Sequence, residues 1–476
     1  MNDVPVRGER YEVGLVGLGV MGRNLLLNIA GHGHAAAGCD RDGAKVRALR
    51  AEGRAGKVAA AGSCRELLAL LERPRAIVML VPAGRPVDEV VGELLPHLER
   101  DDVLVDAGNS HFRDTEARAR RAAARGVRYL GVGVSGGEEG ARRGPSIMAG
   151  GDREAYARVG PLFEAIAARA GDEPCAALLG PGSAGHYVKM VHNGIEYGLL
   201  QLLAESYDLM KRGLGMDDDA LAAVHADWNR TELESYLVGI TAEIFARIDR
   251  RTGRRLVDEI LDEAGQKGTG KWASQDAMEL GVPTPTIDAA VAARNLSALK
   301  AERVGAARVL GGPPGRFAGD RDAFLGELRG ALFAATVATY AQGFAQLRAA
   351  SRAHGYGLSL EAVAAVWRAG CIVRAALLGP IREAFRDRPE LPNLLLDPRL
   401  ALEVRSRQGA LRSTVTAAVR LGLPAPALAA SLAWFDGYRS EWLPANLIQA
   451  QRDYFGAHTY ERVDERGSFH TDWGRP

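Results

Sequence analysis

Residues 11–33, YEVGLVGLGVMGRNLLLNIAGHG, join an apolar strand pattern to a helical pattern through a glycine-rich turn. The turn has the form Gly17-x-Gly19-x-x-Gly22, with the strand before it and the helix after it. Glycine permits a tight turn and lets the backbone approach a pyrophosphate at the N-terminus of the helix. The stretch therefore predicts a dinucleotide site; the alternative is a glycine turn in an α/β domain that binds nothing.

The alternation of strand and helix continues beyond this stretch. Further apolar strand patterns lie at 35–40, 76–84, 103–110 and 127–137, and helical patterns begin after Pro86 and at Asp114. Near-continuous apolar strands separated by helices are typical of a parallel sheet covered on both faces. We therefore predict an α/β Rossmann-like, doubly wound domain over residues 1–184.

The rest of the chain has a different character. It is rich in Ala and Leu with helical periodicity, and the strand patterns stop. The clearest helical segments are residues 198–212, 216–226, 233–247, 322–353 and 359–376. We predict a large all-α domain over residues 185–440, followed by a C-terminal tail, residues 441–476, that is aromatic, polar and poor in helix signals.

The composition is ordinary for a globular protein. Of the 476 residues 47% are hydrophobic and 25% charged, and the net charge of +1 gives no case for a nucleic-acid or anionic-membrane partner. No continuously apolar stretch reaches the roughly 18 residues of a membrane span, and the polar N-terminus lacks a secretory core. The four scattered cysteines form no CxxC pair, and His32-Gly-His34 has no supporting ligands, so no metal site is predicted. A cytoplasmic location is the simplest expectation.

Residues 189–198, KMVHNGIEYG, place polar groups where a helix usually carries its apolar face. Counting from Lys189, the offsets +3, +4, +7 and +8 are His192, Asn193, Glu196 and Tyr197, which is the spacing of one helical stripe. An amine, an imidazole, an amide, a carboxyl and a phenol on one stripe indicate proton-transfer chemistry. The alternative is a solvated helix face, because Glu–Lys pairs on helices are common.

Eight motifs occur in order along the chain: GLGVMGRNL, DAGNS, VGVSGGEEGARRGPSIMAGG, KMVHNGIEYG, AGQKGTGKW, RAGCIVR, NLLLD and LPANLIQAQRDYFGAHTYE. Together they closely resemble the long form of the decarboxylating 6-phosphogluconate dehydrogenase family over essentially the whole chain. The combination of the tail motif with VSGGEEGAR makes the resemblance specific. The chain departs from the family in its ending, which is shorter than in many relatives, and in one cofactor loop.

The resemblance implies oxidative decarboxylation of 6-phosphogluconate to ribulose 5-phosphate and CO2, a step of the pentose phosphate pathway, with hydride transfer to NAD or NADP and without a metal. It makes Lys189 the general base and then the cationic acid that stabilises the enolate oxygen, which requires a lowered pKa. It makes Glu196 the acid that protonates C1, which requires a raised pKa.

The resemblance also assigns binding residues. It implies substrate contacts from Asn109, Ser135, Gly136, Gly137, His192, Asn193, Tyr197, Lys267, Thr269, Arg294, Arg452 and His458. Cofactor contacts are implied for Gly17, Leu18, Gly19, Val20, Met21, Gly22, Asp40, Arg41, Asp42, Val81, Pro82, Ala83 and Asn109. Without the resemblance, residues 135–137 would be an ordinary glycine turn and Arg294 a surface cation of a helix.

The cofactor loop leaves NAD and NADP open. The chain has Asp40-Arg41-Asp42 where the NADP-dependent family usually has Asn-Arg-Thr. A carboxylate at the end of the second strand binds a ribose 2′-hydroxyl but repels a 2′-phosphate, whereas Arg41 can accommodate that phosphate. The two carboxylates lean toward NAD.

The tail implies a homodimer. In the family it crosses to the partner subunit, so Arg452 and His458 would serve the neighbouring site, and Tyr454, Phe455 and Tyr460 make the tail too aromatic to be disordered. Two rival functions are a shorter hydroxyisobutyrate-type dehydrogenase, which does not need the phosphate set, and a catalytically silent NAD-sensing protein, which does not need Lys189 and Glu196.

Overall fold

The computed structural model describes residues 10–52, 57–311 and 315–474. Its first part is built on ten strands: β1 (Val13–Val16), β2 (Ala36–Cys39), β3 (Val58–Ala61), β4 (Ala76–Met79), β5 (Val103–Asp106), β6 (Arg128–Ser135), β7 (Ser146–Gly151), β8 (Arg169–Ala170), β9 (Glu173–Pro174) and β10 (Ala176–Gly180). Seven helices connect them: α1 (Val20–Gly31), α2 (Gly43–Glu52), α3 (Cys64–Leu70), α4 (Arg85–Leu94), α5 (Phe112–Ala123), α6 (Gly137–Arg143) and α7 (Arg153–Ile166). A short 3-10 turn follows α4 at Leu95–His97.

Eight of these strands form one sheet in the order β10-β7-β6-β5-β4-β1-β2-β3, and β8 pairs with β9 separately. The predicted doubly wound α/β fold is confirmed. The predicted strands pair in parallel with one another, and β7, which was not predicted, adds one antiparallel pair with β6, with Ser135 opposite Ser146. Only residues 136–145 join these strands, and a parallel crossover needs about a dozen residues or more.

The second part of the chain is helical. Its helices are α8 (Ala184–Asp208), α9 (Asp218–Trp228), α10 (Tyr236–Ala246), α11 (Leu256–Glu259), α12 (Thr269–Glu279), α13 (Pro285–Ser297), α14 (Lys300–Leu310), α15 (Arg321–His354), α16 (Leu360–Val366), α17 (Leu378–Asp387), α18 (Pro398–Leu421), α19 (Pro426–Tyr438) and α20 (Ala445–Gly456). A π-helical turn, Leu209–Gly213, extends α8, and a 3-10 turn lies at Leu394–Leu396. Within the described ranges, no helix combines the length and apolarity that crossing a bilayer requires.

Two details of the helical part differ from the sequence prediction. The helix predicted over 359–376 ends at Val366, because Gly370 has a φ of +69° and its carbonyl accepts the N–H of Ser146 in the sheet. The tail, expected to be poor in helix, contains α20. That helix has no side-chain N-cap, and the residue that caps its C-terminus in the left-handed region is Ala457 rather than a glycine, so the usual boundary signals are missing.

Helix α8 is buried between the sheet and the other helices, with Tyr187, Val191 and Ile195 fully enclosed. It approaches β6 and β7 closely because glycines face it. A methyl group on Gly133 would overlap Cβ and Cγ of Lys189, and one on Gly150 would overlap the backbone of α8. Backbone therefore rests on backbone at Gly150, and the Lys189 side chain runs across Gly133 of β6.

Candidate active site

The polar stripe of α8 forms a hydrogen-bonded row. The Lys189 amine lies 3.5 Å from Nδ1 of His192, and the same ring nitrogen lies 2.9 Å from Oδ1 of Asn193. Nε2 of His192 faces the Ser135 hydroxyl at 3.3 Å, and Glu196 lies 3.9 Å from Nδ1 of His192. Lys189 is only 6% exposed and His192 is fully buried. The structure thus places these side chains together on one face of α8, and their burial differs from that of a solvated surface face.

Burial sets the protonation of this row. It lowers the pKa of Lys189, against the opposing charge of Glu196. It raises the pKa of Glu196, against the positive charges of Lys189 and Arg294. Burial, reinforced by the charge of Lys189, holds the pKa of His192 well below its usual value, so His192 is neutral and serves as a hydrogen-bonding group. Both directions that the proposed base and acid require are present.

A cationic cradle lies at the C-terminal end of the stripe. Asn193 donates to the Thr269 hydroxyl at 2.9 Å, and the backbone N–H of Lys267 donates to the Tyr197 hydroxyl. The guanidinium carbon of Arg294 lies 3.4 Å from the centre of the Tyr197 ring, a cation–π contact that orients it. A glycine-rich loop, two cations and two hydroxyls are an arrangement that binds phosphate.

The ends of β5 and β6 form the side of the candidate site that faces α8. Ser135 is the last residue of β6, and Gly136 and Gly137 follow with φ of +123° and +63° at the start of α6. After β5, the buried carboxylate of Asp106 accepts the Gly108 N–H at 3.2 Å and the Ser110 hydroxyl at 2.6 Å. Asn109 stands exposed on the turn that these two bonds hold. Backbone N–H groups without side-chain cover are thus available to an anionic ligand.

Two site residues escaped the sequence analysis. Trp367 packs edge-on against the His192 ring, with centroids 5.6 Å apart, and donates its indole N–H to the sulfur of Met148. Cys371 lies beside Lys189 and donates its thiol to the carbonyl of Trp367 at 3.0 Å. Burial raises the pKa of Cys371 to about 12, so it remains a neutral thiol. The motif RAGCIVR contains this cysteine, but nothing in its spacing pairs it with a lysine far earlier in the chain.

Arg118 is a third residue that the sequence analysis missed. It is 3% exposed and links two loops at the sheet edge, donating to the carbonyl of Gly84 at 3.1 Å and to the Ser110 hydroxyl at 3.0 Å. Its Nε also donates to Asp88 at 2.7 Å. The loops after β4 and β5 are therefore held together by one guanidinium group.

A cavity of about 420 Å³ lies beside the glycine-rich turn. It is lined, among others, by Gly17, Gly19, Asp40, Arg41, Lys45, Gly62, Ser63, Cys64, Val81 and Pro82. Gly17 has a φ of +101°, and a methyl group there would lie 2.5 Å from the carbonyl of Leu80. The predicted cofactor residues lie at the carboxyl edge of the sheet: residues 17–19 in the turn, 20–22 in the first turn of α1, 40–42 after β2, 81–83 after β4 and Asn109 after β5. A dinucleotide fits such a crevice.

The charges of this cavity are fixed by local contacts. Asp40 accepts the N–H groups of Leu18 at 2.8 Å and Asp42 at 2.9 Å. Burial alone would raise the pKa of Asp40, but these bonds and Lys45 hold it below its usual value, so the group is ionised at neutral pH. Arg41, 70% exposed, pairs with Glu89 at 3.1 Å and with Glu93 at 3.7 Å.

The tail holds itself together around one carboxylate. Asp453, fully buried, accepts the N–H of Thr459 at 2.9 Å, Nδ1 of His470 at 2.9 Å and the Trp473 indole N–H at 2.9 Å. The surface of the tail carries large apolar side chains that are more than half exposed. Their exposed fractions are 64% for Trp442, 60% for Leu447, 59% for Ile448, 67% for Tyr454 and 73% for Phe455. Such a surface is typical of a subunit contact.

The two predicted tail residues lie on this unit. Arg452 donates to Gln449, and the His458 ring lies against Phe455. Among the described residues, neither belongs to the hydrogen-bonded row around Lys189. In the same described ranges, no three His, Cys, Asp or Glu side chains are grouped to hold a metal ion.

Comparisons with known proteins agree with this geometry. Residues 12–180 match the family model of the NAD binding domain of 6-phosphogluconate dehydrogenase, and residues 185–473 match that of its C-terminal domain. The chain is 50% identical over 466 residues to the NADP(+)-dependent, decarboxylating 6-phosphogluconate dehydrogenase of Bacillus subtilis (strain 168), covering 98% of this chain and 99% of that relative. It is 48% identical over 466 residues to the decarboxylating 6-phosphogluconate dehydrogenase of Escherichia coli (strain K12), with the same coverage.

A solved structure agrees over the same length. The 6-phosphogluconate dehydrogenase of Plasmodium falciparum, described in its apo form and in complexes with its cofactor NADP+ and its substrate 6-phosphogluconate, is 41% identical and superposes with a TM-score of 0.93. The alignment covers 97% of this chain and all of that one. The resemblance inferred from the eight motifs is confirmed, and the chain belongs to the 6-phosphogluconate dehydrogenase family.

Proposed function

We propose that this protein oxidatively decarboxylates 6-phosphogluconate to ribulose 5-phosphate and CO2, with NADP(+) or NAD(+) as the hydride acceptor. The observation that carries the proposal is the buried row on α8, in which a lysine with a lowered pKa and a glutamate with a raised pKa lie between a phosphate cradle and a dinucleotide crevice. A simple hydroxyacid dehydrogenase needs no cradle of this kind, and a silent nucleotide-binding protein needs no buried base and acid.

The first chemical step is oxidation at C3. Neutral Lys189 takes the proton of the C3 hydroxyl while the hydride leaves C3, which gives a 3-keto acid and a lysine ammonium. The dinucleotide, when bound in the crevice, supplies the carbon that accepts the hydride. Desolvation keeps Lys189 available as a base, because burial disfavours its charged form.

The second and third steps use the proton that Lys189 has gained. The ammonium donates its proton to the C3 oxygen as the bond between C1 and C2 breaks, so CO2 leaves, an enediol remains and Lys189 is neutral again. Glu196 then protonates the carbon that becomes C1 of ribulose 5-phosphate, while the enediol returns a proton to Lys189. Because Lys189 supplies the positive charge, the mechanism uses no metal ion.

The substrate is held at three places in this proposal. Its carboxylate lies against the Ser135 hydroxyl and the N–H groups of residues 136–137, and its hydroxyls against Asn109, His192 and Asn193. Its phosphate lies in the cradle described above, which consists of Tyr197, Lys267, Thr269 and Arg294. The Arg294 fork, fixed by its contact with Tyr197 and its bond to the carbonyl of Gly265, is preorganised for the phosphate oxygens.

The direct test is formation of reduced nicotinamide with 6-phosphogluconate, with ribulose 5-phosphate and CO2 measured as products. Gluconate, which lacks only the phosphate, should react with a kcat/KM lower by about 10³-fold or more, because the cradle is then left unfilled. Equal rates with both compounds would refute the phosphate cradle. Turnover of 3-hydroxyisobutyrate but not of 6-phosphogluconate would refute the substrate assignment.

Cofactor preference depends on Asp40 in our proposal. Its ionised carboxylate faces the position of the ribose 2′ substituent, and Arg41 is engaged by Glu89 and Glu93, so Asp40 and Asp42 favour NAD over NADP. Asp40→Asn keeps an acceptor for the Leu18 N–H and removes the charge. We expect its kcat/KM ratio of NADP to NAD to rise by about tenfold. Glu52→Gln, an exposed charge change at the end of α2, should leave the ratio unchanged, and an unchanged ratio in Asp40→Asn would refute the role of this carboxylate.

The active unit in our proposal is a homodimer. We assign residues 1–184 to dinucleotide binding, 185–440 to substrate binding and dimerisation, and the tail, 441–476, to the partner subunit's site, where it delivers Arg452 and His458. The exposed apolar side chains of the tail support this assignment, because a partner surface would bury them.

Mixing two inactive variants tests the exchange. Lys189→Met and Arg452→Ala subunits, each inactive alone, form a heterodimer in which one site combines an intact Lys189 with an intact Arg452. Co-expression should therefore restore about a quarter of wild-type activity, because half of the dimers are mixed and each holds one intact site. Mixing Lys189→Met with Glu196→Gln is the matched control. Both substitutions lie on α8, so every site of that mixed dimer lacks one of the two residues, and no activity should be restored. Restoration absent from both mixtures would mean that each tail serves its own chain.

A further inference from the structure

Cys39 and Cys64 are two buried thiols in contact at one wall of the dinucleotide crevice. Cys39 is the last residue of β2 and Cys64 the first of α3. Cys39 lies opposite Ala61 in the pairing of β2 with β3, which brings the start of α3 beside it. The two side chains are close enough for Cys64 to raise the pKa of Cys39, they are 2% and 7% exposed, and both line the crevice. Neither has a place in the catalytic mechanism.

Each cysteine is attached to an element that we assign to cofactor binding. The carbonyl of Cys39 accepts the N–H of Gly17 at 2.9 Å, and the next residue, Asp40, holds the N–H of Leu18. Cys64 follows Ser63, which caps α3 by accepting the Glu66 N–H at 3.2 Å and also lines the crevice. A change in the distance between the two sulfurs therefore acts on the glycine-rich turn on one side and on the 62–64 turn on the other.

We propose that Cys39 and Cys64 form an oxidation-sensitive dithiol, which closes to a disulfide under peroxide and thereby weakens dinucleotide binding. The peroxide first oxidises Cys64 to a sulfenic acid and leaves as an alcohol or water. Cys39 sulfur then attacks the Cys64 sulfur, the S–O bond breaks, and the hydroxyl leaves as water with the Cys39 proton. The pair loses two electrons and the peroxide gains them. The effect on binding rests on the proposed cofactor crevice.

The surroundings of the two thiols determine which of them reacts first with the peroxide. Contact with Cys64 and burial raise the pKa of Cys39, so it reacts poorly with peroxide on its own. Cys64 is the more exposed of the two and opens onto the crevice, through which a small peroxide reaches it. Once Cys64 carries a sulfenic acid, Cys39 is its neighbour in the crevice wall and is placed to attack it. Cys39 is thus the resolving thiol.

The disulfide must move the crevice wall. An S–S bond is about 2.05 Å long, much shorter than a contact between two thiols, so closing it draws the two sulfurs together, and we expect the end of β2 and the start of α3 to follow them. The Gly17 N–H is bonded to Cys39 and moves with it, and the turn loses the fit that a pyrophosphate requires. By linkage, a bound dinucleotide must oppose disulfide formation by the same factor.

Treatment of the full-length protein with hydrogen peroxide tests the proposal. We expect mass spectrometry to find a linked Cys39–Cys64 peptide pair, the Kd for NADP(+) to rise by about tenfold, and dithiothreitol to reverse both changes. Saturating NADP(+) should slow the cross-link to a similar extent. In Cys64→Ser and in Cys39→Ser, peroxide should leave each variant's own Kd unchanged, whereas Cys175→Ser, which alters a buried thiol outside the crevice, should respond like wild type.

Two results would overturn the proposal: a peroxide-treated protein without the Cys39–Cys64 link, or a linked protein whose Kd is unchanged. Failure of the cofactor assignment itself has a separate signature. In that case the reduced protein binds neither NAD(+) nor NADP(+), whereas the mass measurement still reports the cross-link.

Discussion

Lys189→Met lowers kcat by about 10³-fold and leaves the Kd for NADP(+) within a factor of two of wild type; this is the largest effect that we expect. This one substitution removes both the base for the C3 hydroxyl and the cation that acts on the C3 oxygen. Methionine keeps an unbranched chain that can run across Gly133, and losing a buried amine relieves its desolvation, so the fold should persist. The measurement is steady-state turnover with 6-phosphogluconate, beside cofactor titration and thermal unfolding.

Two further variants serve as controls for Lys189→Met: one changes an exposed lysine, and the other keeps the positive charge at position 189. Lys57→Met removes an exposed amine that bonds to the carbonyl of Gly33, and its kcat should match wild type. Lys189→Arg restores a positive charge but cannot act as a base, because a guanidinium does not lose its proton in proteins. We expect it to stay as slow as Lys189→Met in the oxidation step. A Lys189→Met enzyme that retained a tenth of wild-type kcat with normal stability would rule out this lysine as the base.

Glu196→Gln lowers kcat by about 10²-fold, because an amide of the same shape cannot deliver the proton to C1. A partial reaction isolates this step: exchange of the C1 hydrogens of ribulose 5-phosphate with solvent, followed by NMR in the presence of reduced cofactor. That exchange should fall at least as much as turnover. Glu243→Gln, an exposed change on α10, is the matched control and should exchange at the wild-type rate. Unimpaired exchange in Glu196→Gln would assign the proton to another group.

The pH profile provides an independent test of the pair. Activity requires Lys189 neutral and Glu196 protonated, so kcat/KM is low at acid pH, where the lysine is charged, and low again at alkaline pH, where the glutamate is ionised. Burial lowers the pKa of Lys189 and raises that of Glu196, which brings the rising and falling limbs of the pH profile closer together. The apparent pKa values of the two limbs belong to the coupled pair and not to either residue alone. Glu196→Gln should keep the rising limb and lose the falling one. A profile that still falls at high pH would contradict the assignment.

The sequence predicts well whatever depends on one continuous segment. The row from Lys189 to Tyr197 lies on a single helix, so spacing alone places its members side by side, and burial of that helix follows from its apolar residues. The ends of β5 and β6 are predictable for a similar reason, because the carboxyl ends of parallel strands share one edge. The doubly wound fold required only the periodicity of its apolar runs.

Features that join distant segments were not predictable in this way. Trp367 and Cys371 reach Lys189 and His192 from more than 170 residues away, through a turn that interrupts a helical pattern, and no local signal marks that meeting. The strands β3, β7 and β10 are rich in Ala and Gly rather than in β-branched residues, so their patterns are weak. Gly150 of β7 allows the close approach of α8, which is a tertiary requirement.

That approach has a consequence for motion. Because the backbone of α8 rests directly on β7 at Gly150, and only the stem of the Lys189 side chain lies over Gly133 of β6, the sheet and the helix that carries Lys189 have no room to slide or hinge at their contact. Opening and closing must be left to the loops around the crevice and to the tail. The distance between C3 of the substrate, beside Lys189, and the nicotinamide ring, on the sheet, is thus set when the chain folds. Binding of the two ligands changes that distance little.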